Sequence, residues 1–222
     1  MTGRAAPLRA AFYQALGEAW AGGAGVLLPA GFFAGAATLV PITFGPETAI
    51  LAAAAPAVLW IALALASLVT MERLFQADLE DGALDLWAIG ETPLSQIALV
   101  KTFAHWIVSG LPLMILAPFL GLILGIEASY WPRAAVSYGL GGLAFFFWGG
   151  FGASLAAGVR RGGLLIALIA LPFYVPTAIF GALTVTSTVA MPPEAYLLAA
   201  STLFALAVAP FGMGAALRLG VG

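Results

Sequence analysis

The chain has 222 residues, of which 63% are hydrophobic and 8% are charged, and its formal net charge at pH 7 is −2. Soluble domains carry about 25% charged residues, so this composition excludes an ordinary water-soluble domain and predicts a protein of the lipid bilayer. The chain has no cysteine and one histidine. These counts exclude disulfides, thiolate metal sites and any metal or haem centre built from several histidines of one chain.

Residues 1–21 predict a cytoplasmic amphipathic helix that precedes the first span. Its apolar face consists of Phe12, Leu16, Ala19 and Trp20. Gln14 and Glu18 fall on the opposite face. This segregation is typical of a helix that lies along the membrane surface, and a plain lead-in to the first span is the alternative. No small-residue cleavage site follows, so a signal peptide is not predicted.

Residues 22–222 predict one transmembrane domain. Its apolar segments are about 22–44, 48–70, 102–126, 134–158, 163–186 and 195–217. Each is long enough to cross the hydrocarbon core as a helix, for which about 20 residues are needed. The sequence therefore predicts an all-α integral membrane protein with a bundle of six transmembrane helices.

The basic residues predict the orientation of this bundle. Seven of them fall on one predicted side: Arg4, Arg9, Arg73, Lys101, Arg160, Arg161 and Arg218. Arg133 alone falls on the other side. Because Lys and Arg concentrate in cytoplasmic loops, both termini, the connection 71–101 and a basic turn at Arg160 and Arg161 are predicted to be cytoplasmic. In a bacterium this corresponds to the inner membrane.

Catalytic and phosphate-binding motifs are missing from the sequence. The one lysine, Lys101, follows no glycine-rich loop, so the chain is not expected to hydrolyse ATP. Charged residues are almost absent from the spans, which disfavours a proton-driven transporter. His105, near the start of the predicted third span, could ligate a haem iron or carry a proton. A lone histidine without a second ligand favours a structural role at the interface, next to Trp106.

The connection 71–101 contains four of the ten carboxylates: Asp78, Glu80, Asp81 and Asp85. On one continuous helix the apolar side chains share a sector formed by Phe75, Leu79, Ala83, Leu86 and Trp87. Asp78, Asp81 and Asp85 share the opposite face, which predicts an interface helix with its acids toward the cytoplasm.

These acids are open to three interpretations. Carboxylates three and four residues apart could hold Mg²⁺, but no second acidic cluster supplies further ligands, so no metal site is predicted. A proton path would lie within a span, and this cluster does not. A solvated face remains, and composition does not decide whether that face docks a partner or has no function.

Three stretches of the chain resemble the CcmB family, the membrane subunit of the haem exporter of cytochrome c maturation. They are ERLFQADLEDGALDLW (72–87), KTFAHWIVSGLPL (101–113) and RRGGLLIALIALPFYVPTAIFG (160–181). The resemblance extends over essentially the whole chain. It implies a non-catalytic permease subunit similar to ABC-2-type exporter permeases, which couples ATP hydrolysis by a partner to haem delivery or to release of a haem-loaded chaperone.

The resemblance also implies the partners. These are a CcmA-like ATPase that carries ATP and Mg²⁺, a CcmC-like haem-handling subunit, a small CcmD-like membrane subunit and a CcmE-like haem chaperone; no nucleic acid is implied. Haem would be a substrate, with no resident cofactor. An ATPase-coupling role is implied for Glu72, Phe75, Asp78, Asp81 and Asp85. The alternatives are a permease for a lipid or drug, a Mg²⁺-dependent transferase built on the aspartates, and a scaffold subunit.

Overall fold

The computed structural model describes residues 5–21, 26–45, 48–159, 162–189 and 191–220. Every regular element in these ranges is helical. The α-helices are α1 (Ala5–Ala21), α2 (Leu27–Phe44), α3 (Thr48–Met71), α4 (Gln76–Glu80), α5 (Ala83–Ile89), α6 (Leu94–His105), α7 (Leu111–Ile123), α8 (Trp131–Ala156), α9 (Gly163–Thr186) and α10 (Pro193–Gly220). A π-helical turn (Trp106–Gly110) joins α6 to α7, and a 3₁₀ turn (Ala128–Tyr130) precedes α8.

Five helical stretches of the described chain are long and apolar enough to cross a membrane. They are Ala49–Glu80, Leu94–Ile123, Ala128–Ala156, Gly163–Thr186 and Pro193–Gly220. The apolar helix α2 is shorter. The all-α membrane fold is therefore confirmed, whereas the count of six spans and the orientation stay predictions.

The helix that corresponds to the predicted third span begins earlier than the sequence pattern indicates. Helix α6 starts at Leu94, directly after Pro93, whereas the predicted span starts at residue 102. The polar residues of this first part lower its hydropathy and conceal the helix start. Lys101 consequently lies inside a helix instead of before one.

Helix α8 is the centre of the bundle and packs against α3, α6, α7, α9 and α10. Trp60 of α3 is fully buried beside it. A Cβ at Gly141 of α8 would come within 2.3 Å of the Trp60 ring, and a Cβ at Gly181 of α9 within 2.1 Å. These glycines therefore leave the space in which the indole ring packs between three helices.

Hydrogen bonds between buried side chains and backbone carbonyls add to this packing. The Tyr174 hydroxyl of α9 donates to the Phe145 carbonyl of α8 at 2.6 Å. Ser137 of α8 donates to the Gly181 carbonyl of α9 at 3.0 Å. Such bonds between helices stabilise a bundle in lipid, where apolar side chains gain little by leaving the bilayer.

Candidate functional site

The acidic connection forms two short helices, so the prediction of one continuous interface helix is wrong. Helix α4 ends at Glu80 and α5 begins at Ala83. Between them Gly82 has φ 73° and ψ 9°, a left-handed conformation that residues with a Cβ rarely adopt. The chain changes direction there, and residues on the two sides of Gly82 no longer share one helical face.

Asp78 is the clearest correction to the predicted acidic face. Its side chain is 1% exposed, and both of its carboxylate oxygens lie 2.6 Å from Nζ of Lys101. Lys101 is also 1% exposed. A buried carboxylate is stable only when it is paired and hydrogen-bonded, which explains why Asp78 points inward, away from Asp81 and Asp85.

Lys101 joins four helices. Its ammonium lies 2.9 Å from a Glu18 carboxylate oxygen of α1 and 5.1 Å from the centre of the Trp87 ring of α5. The bonds to Asp78 of α4 and to Glu18 use the hydrogen-bond donors of the ammonium group. The Trp87 ring adds a cation–π interaction. We name Glu18, Asp78, Trp87 and Lys101 the Lys101 cluster.

Helix α1 meets the Lys101 cluster through a face that the sequence pattern does not indicate. Ala11 and Ala15 are buried where α1 packs against α6. Glu18 follows on this side; its side chain is 36% exposed and reaches Lys101, a contact that the sequence pattern did not predict. Trp20, assigned to the apolar face, is 74% exposed. These alanines allow α1 and α6 to approach closely. A hydrophobicity pattern gives alanine little weight, so it does not identify this buried face.

The other predicted coupling residues differ in exposure. Glu72, Asp81 and Asp85 are exposed, as expected for a solvated face. Phe75 is 1% exposed and therefore belongs to the core. Their role in coupling stays a prediction, but Phe75 and Asp78 have no surface for a partner to contact.

Helix α5 presents an exposed surface that sequence reasoning missed. Leu86, a member of the predicted apolar sector, is 67% exposed, and Ile89 is 85% exposed. Leu84 is buried instead. We name Asp85, Leu86 and Ile89 of α5, together with Asp81 just before Gly82, the α5 surface. Because the same connection also carries exposed carboxylates, these apolar side chains form a candidate contact surface for a partner.

His105 lies one helical turn after Lys101, at the last residue of α6. It is 9% exposed, and its ring centre is 5.7 Å from that of Phe146. Its Nε2 has no hydrogen-bond partner among the described residues, and the same holds for Nε1 of Trp106. The structure gives His105 packing contacts within the bundle; its haem-binding or structural role stays a prediction.

Arg160 and Arg161, the predicted basic turn, lie outside the described residues. Within the part of the chain that the structure describes, no three His, Asp or Glu side chains come together as a metal site.

Comparison with known proteins gives one consistent family. The family model described as CcmB protein matches residues 10–220. Heme exporter protein B of Paracoccus denitrificans is 45% identical over 200 residues, covering 89% of this chain and 92% of that protein. The Rhodobacter capsulatus protein of that name is 40% identical over 215 residues, covering 96% and 99%. The Escherichia coli K12 protein is 36% identical over 196 residues, covering 87% and 89%.

Proposed function

This chain belongs to the CcmB family, and from that premise we propose that it is the permease subunit of an ABC-type haem exporter that acts in cytochrome c biogenesis. The observation that carries the proposal is the CcmB match over residues 10–220. The long apolar helices fit a multi-pass membrane subunit. We place it in the bacterial inner membrane with its N-terminus in the cytoplasm, because of the distribution of Lys and Arg.

ATP chemistry belongs to a partner in this proposal. The chain has no phosphate-binding loop, so a CcmA-like ATPase supplies ATP hydrolysis with Mg²⁺. CcmC-like and CcmD-like membrane subunits and a CcmE-like chaperone complete the assembly. Haem is the substrate, and the chain is assigned no cofactor of its own. Its task is to convert ATPase closure into haem delivery or release of the haem-loaded chaperone.

The α5 surface is the part that we assign to ATPase docking. Leu86 and Ile89 are exposed on a short helix in the connection 71–101, and burying apolar side chains of this size in a partner groove is favourable. Asp81 and Asp85 lie beside them at the exposed rim, where charges speed association and set orientation.

The Lys101 cluster is the part that we assign to transmission. It connects the two short helices of the docking region, through Asp78 and Trp87, with Lys101 of the long stretch Leu94–Ile123. A displacement of α4 and α5 by the ATPase would therefore act on α6 directly. The π-helical turn that follows α6 interrupts the α-helical hydrogen-bond pattern, a feature frequent at functional sites.

The test is ATP hydrolysis by the purified complex that contains this chain. We expect haem or haem-loaded chaperone to stimulate hydrolysis, since the substrate of a coupled exporter changes the rate of its ATPase. Stimulation by a lipid or drug with no response to haem would instead support a permease for another substrate. An unchanged rate with haem and with haem-loaded chaperone would overturn the proposal and support a scaffold.

A further inference from the structure

Helix α4 is attached to the bundle on two sides. On one side Asp78 bonds to Lys101 of α6, as described above. On the other side the start of the connection 71–101 faces the turn between α8 and α9, across a cavity of about 300 Å³. The lining of this cavity includes Glu72 and Gln76 of the connection and Ile166 of α9. Transmission through Lys101 does not use this second side.

Gln76 holds α4 against the end of α8. Its Oε1 accepts a hydrogen bond from the Gly158 N–H at 3.4 Å, and its Nε2 donates to Oε1 of Glu80, one turn along α4, at 2.9 Å. The bond to Glu80 orients the amide so that its oxygen faces the turn. Gly158 has φ 82°, which favours glycine, and a Cβ there would come within 3.1 Å of Leu79. Glycine at this position therefore lets α4 lie directly against the turn.

Glu72 lies against the start of α9. A Cβ at Gly163, the first residue of that helix, would be 3.6 Å from the nearest Glu72 carboxylate oxygen. The first N–H groups of a helix have no partner within the helix and carry partial positive charge, so a carboxylate is stabilised there. The connection therefore meets both ends of one turn, the end of α8 through Gln76 and the start of α9 through Glu72.

Helices α8 and α9 are in close contact beyond this turn. A Cβ at Gly152 of α8 would come within 2.9 Å of the Ile166 carbonyl oxygen of α9. Farther into the bundle, the Tyr174 hydroxyl of α9 donates to the Phe145 carbonyl of α8. Because closely packed interiors transmit strain, a displacement applied at the turn acts on both helices.

We propose that Gln76 is a positioning residue that connects α4 to α8 and α9, so that one displacement of α4 acts on α6 and on the α8–α9 turn together. This inference deepens the proposed coupling function and rests on it. The Lys101 cluster is the connection to α6, and Gln76 is the connection to the turn, supported by Glu72. The cavity between the connection and the turn gives α4 room to shift.

The test is hydrogen–deuterium exchange of the complex of this chain with its partner ATPase, with and without a non-hydrolysable ATP analogue. We expect the analogue to change amide exchange at the start of α6 and at the end of α8, including the Gly158 N–H. In Gln76→Ala the Gly158 N–H should exchange about two- to tenfold faster, the range that corresponds to one hydrogen bond. The response to the analogue should then be lost at the end of α8 and persist in α6.

Gln96→Ala is the matched control, because Gln96 is an exposed glutamine of α6 that lies outside this cavity. It should keep the response of the unmodified chain at both places. Glu72→Gln is the second variant; Glu72 is exposed, so the bundle should stay folded, and the response should weaken at the start of α9.

The outcomes separate this proposal from the proposed function. A response at the end of α8 that persists in Gln76→Ala would overturn the positioning role of Gln76. A response of the unmodified chain in α6 alone would also overturn it, and would leave transmission through the Lys101 cluster intact. No response at either place would contradict both the positioning role and the proposed coupling.

Discussion

The Lys101 ammonium lies 2.6 Å from both carboxylate oxygens of Asp78, and each side chain is 1% exposed. The two residues are 23 positions apart and belong to different helices. Burying two charges is costly, and one lost partner leaves the other charge unpaired in a poorly solvated place. The pair therefore holds the connection 71–101 against the bundle and makes its geometry depend on α6.

Asp78→Asn should destabilise the protein by about 3–5 kcal/mol, because it leaves the Lys101 charge buried with only Glu18 as its anionic partner. Thermal unfolding in detergent measures this. Asp85→Asn, at an exposed acid of the same connection, should change stability by less than about 0.5 kcal/mol. Equal midpoints for the two variants would contradict the buried pair.

Replacing Leu86 and Ile89 together with Ala should reduce retention of the ATPase on the purified membrane subunit. Truncating a central hot-spot residue costs about 2 kcal/mol or more, which weakens affinity by more than tenfold. Co-purification with increasing detergent washes, or direct titration, measures the loss. The unfolding midpoint should stay unchanged, since both side chains are exposed.

Ile179→Ala is the control for that experiment. Ile179 is also an exposed apolar residue, 51% accessible, but it lies in α9, away from the connection. It should leave ATPase retention unchanged. If the α5 double variant binds the ATPase as well as the Ile179 variant does, docking at the α5 surface is refuted.

Reversing Asp81 and Asp85 to Lys should slow ATPase association and change its salt dependence, because rim charges act chiefly on the association rate. The bundle should remain folded, since both residues are exposed. Asp78→Lys should behave differently and unfold the connection, because it places a second cation against Lys101. Stopped-flow binding at two ionic strengths, together with unfolding midpoints, distinguishes the exposed-acid variants from Asp78→Lys. Identical behaviour of the two would contradict the assignment of Asp81 and Asp85 to the exposed rim and of Asp78 to the buried pair.

Gly181→Ala should destabilise the bundle by about 1–3 kcal/mol, because the added methyl lies 2.1 Å from the Trp60 ring and the core must shift. Gly139→Ala is the matched control in α8, where no heavy atom lies within 4 Å of the added carbon. Trp60→Phe should restore part of the loss in the Gly181 variant by opening space. Additive losses in the double variant would show that the two positions do not share one packing site.

The sequence was most informative where one property decides the local structure. Helix α9 occupies residues 163–186, as the predicted fifth span does, because the uninterrupted apolar run ends at polar residues on both sides. The start of α6 was misplaced because Ser95, Gln96 and Lys101 lower the hydropathy of its first turns. Hydropathy describes contact with lipid, and this part of α6 is buried against protein.

The Lys101 cluster could not be derived from local patterns. Glu18 and Asp78 precede Lys101 by 83 and 23 positions in the sequence, so only tertiary packing brings these charges together. The sequence contains one usable signal, the single lysine of the chain in a largely apolar stretch. The break at Gly82 was likewise visible as a glycine, but its left-handed conformation was not, and that conformation separates Asp78 and Asp81 from Asp85.

The central claim, that this chain is the permease of a haem exporter, is tested most directly by ATP-dependent release of haem-loaded chaperone from the reconstituted complex. Proteoliposomes with and without this chain would be compared after addition of ATP. The account predicts release only when the chain is present, and its loss when Lys101→Met breaks the connection to α6. Equal release from complexes that lack this chain would contradict the account.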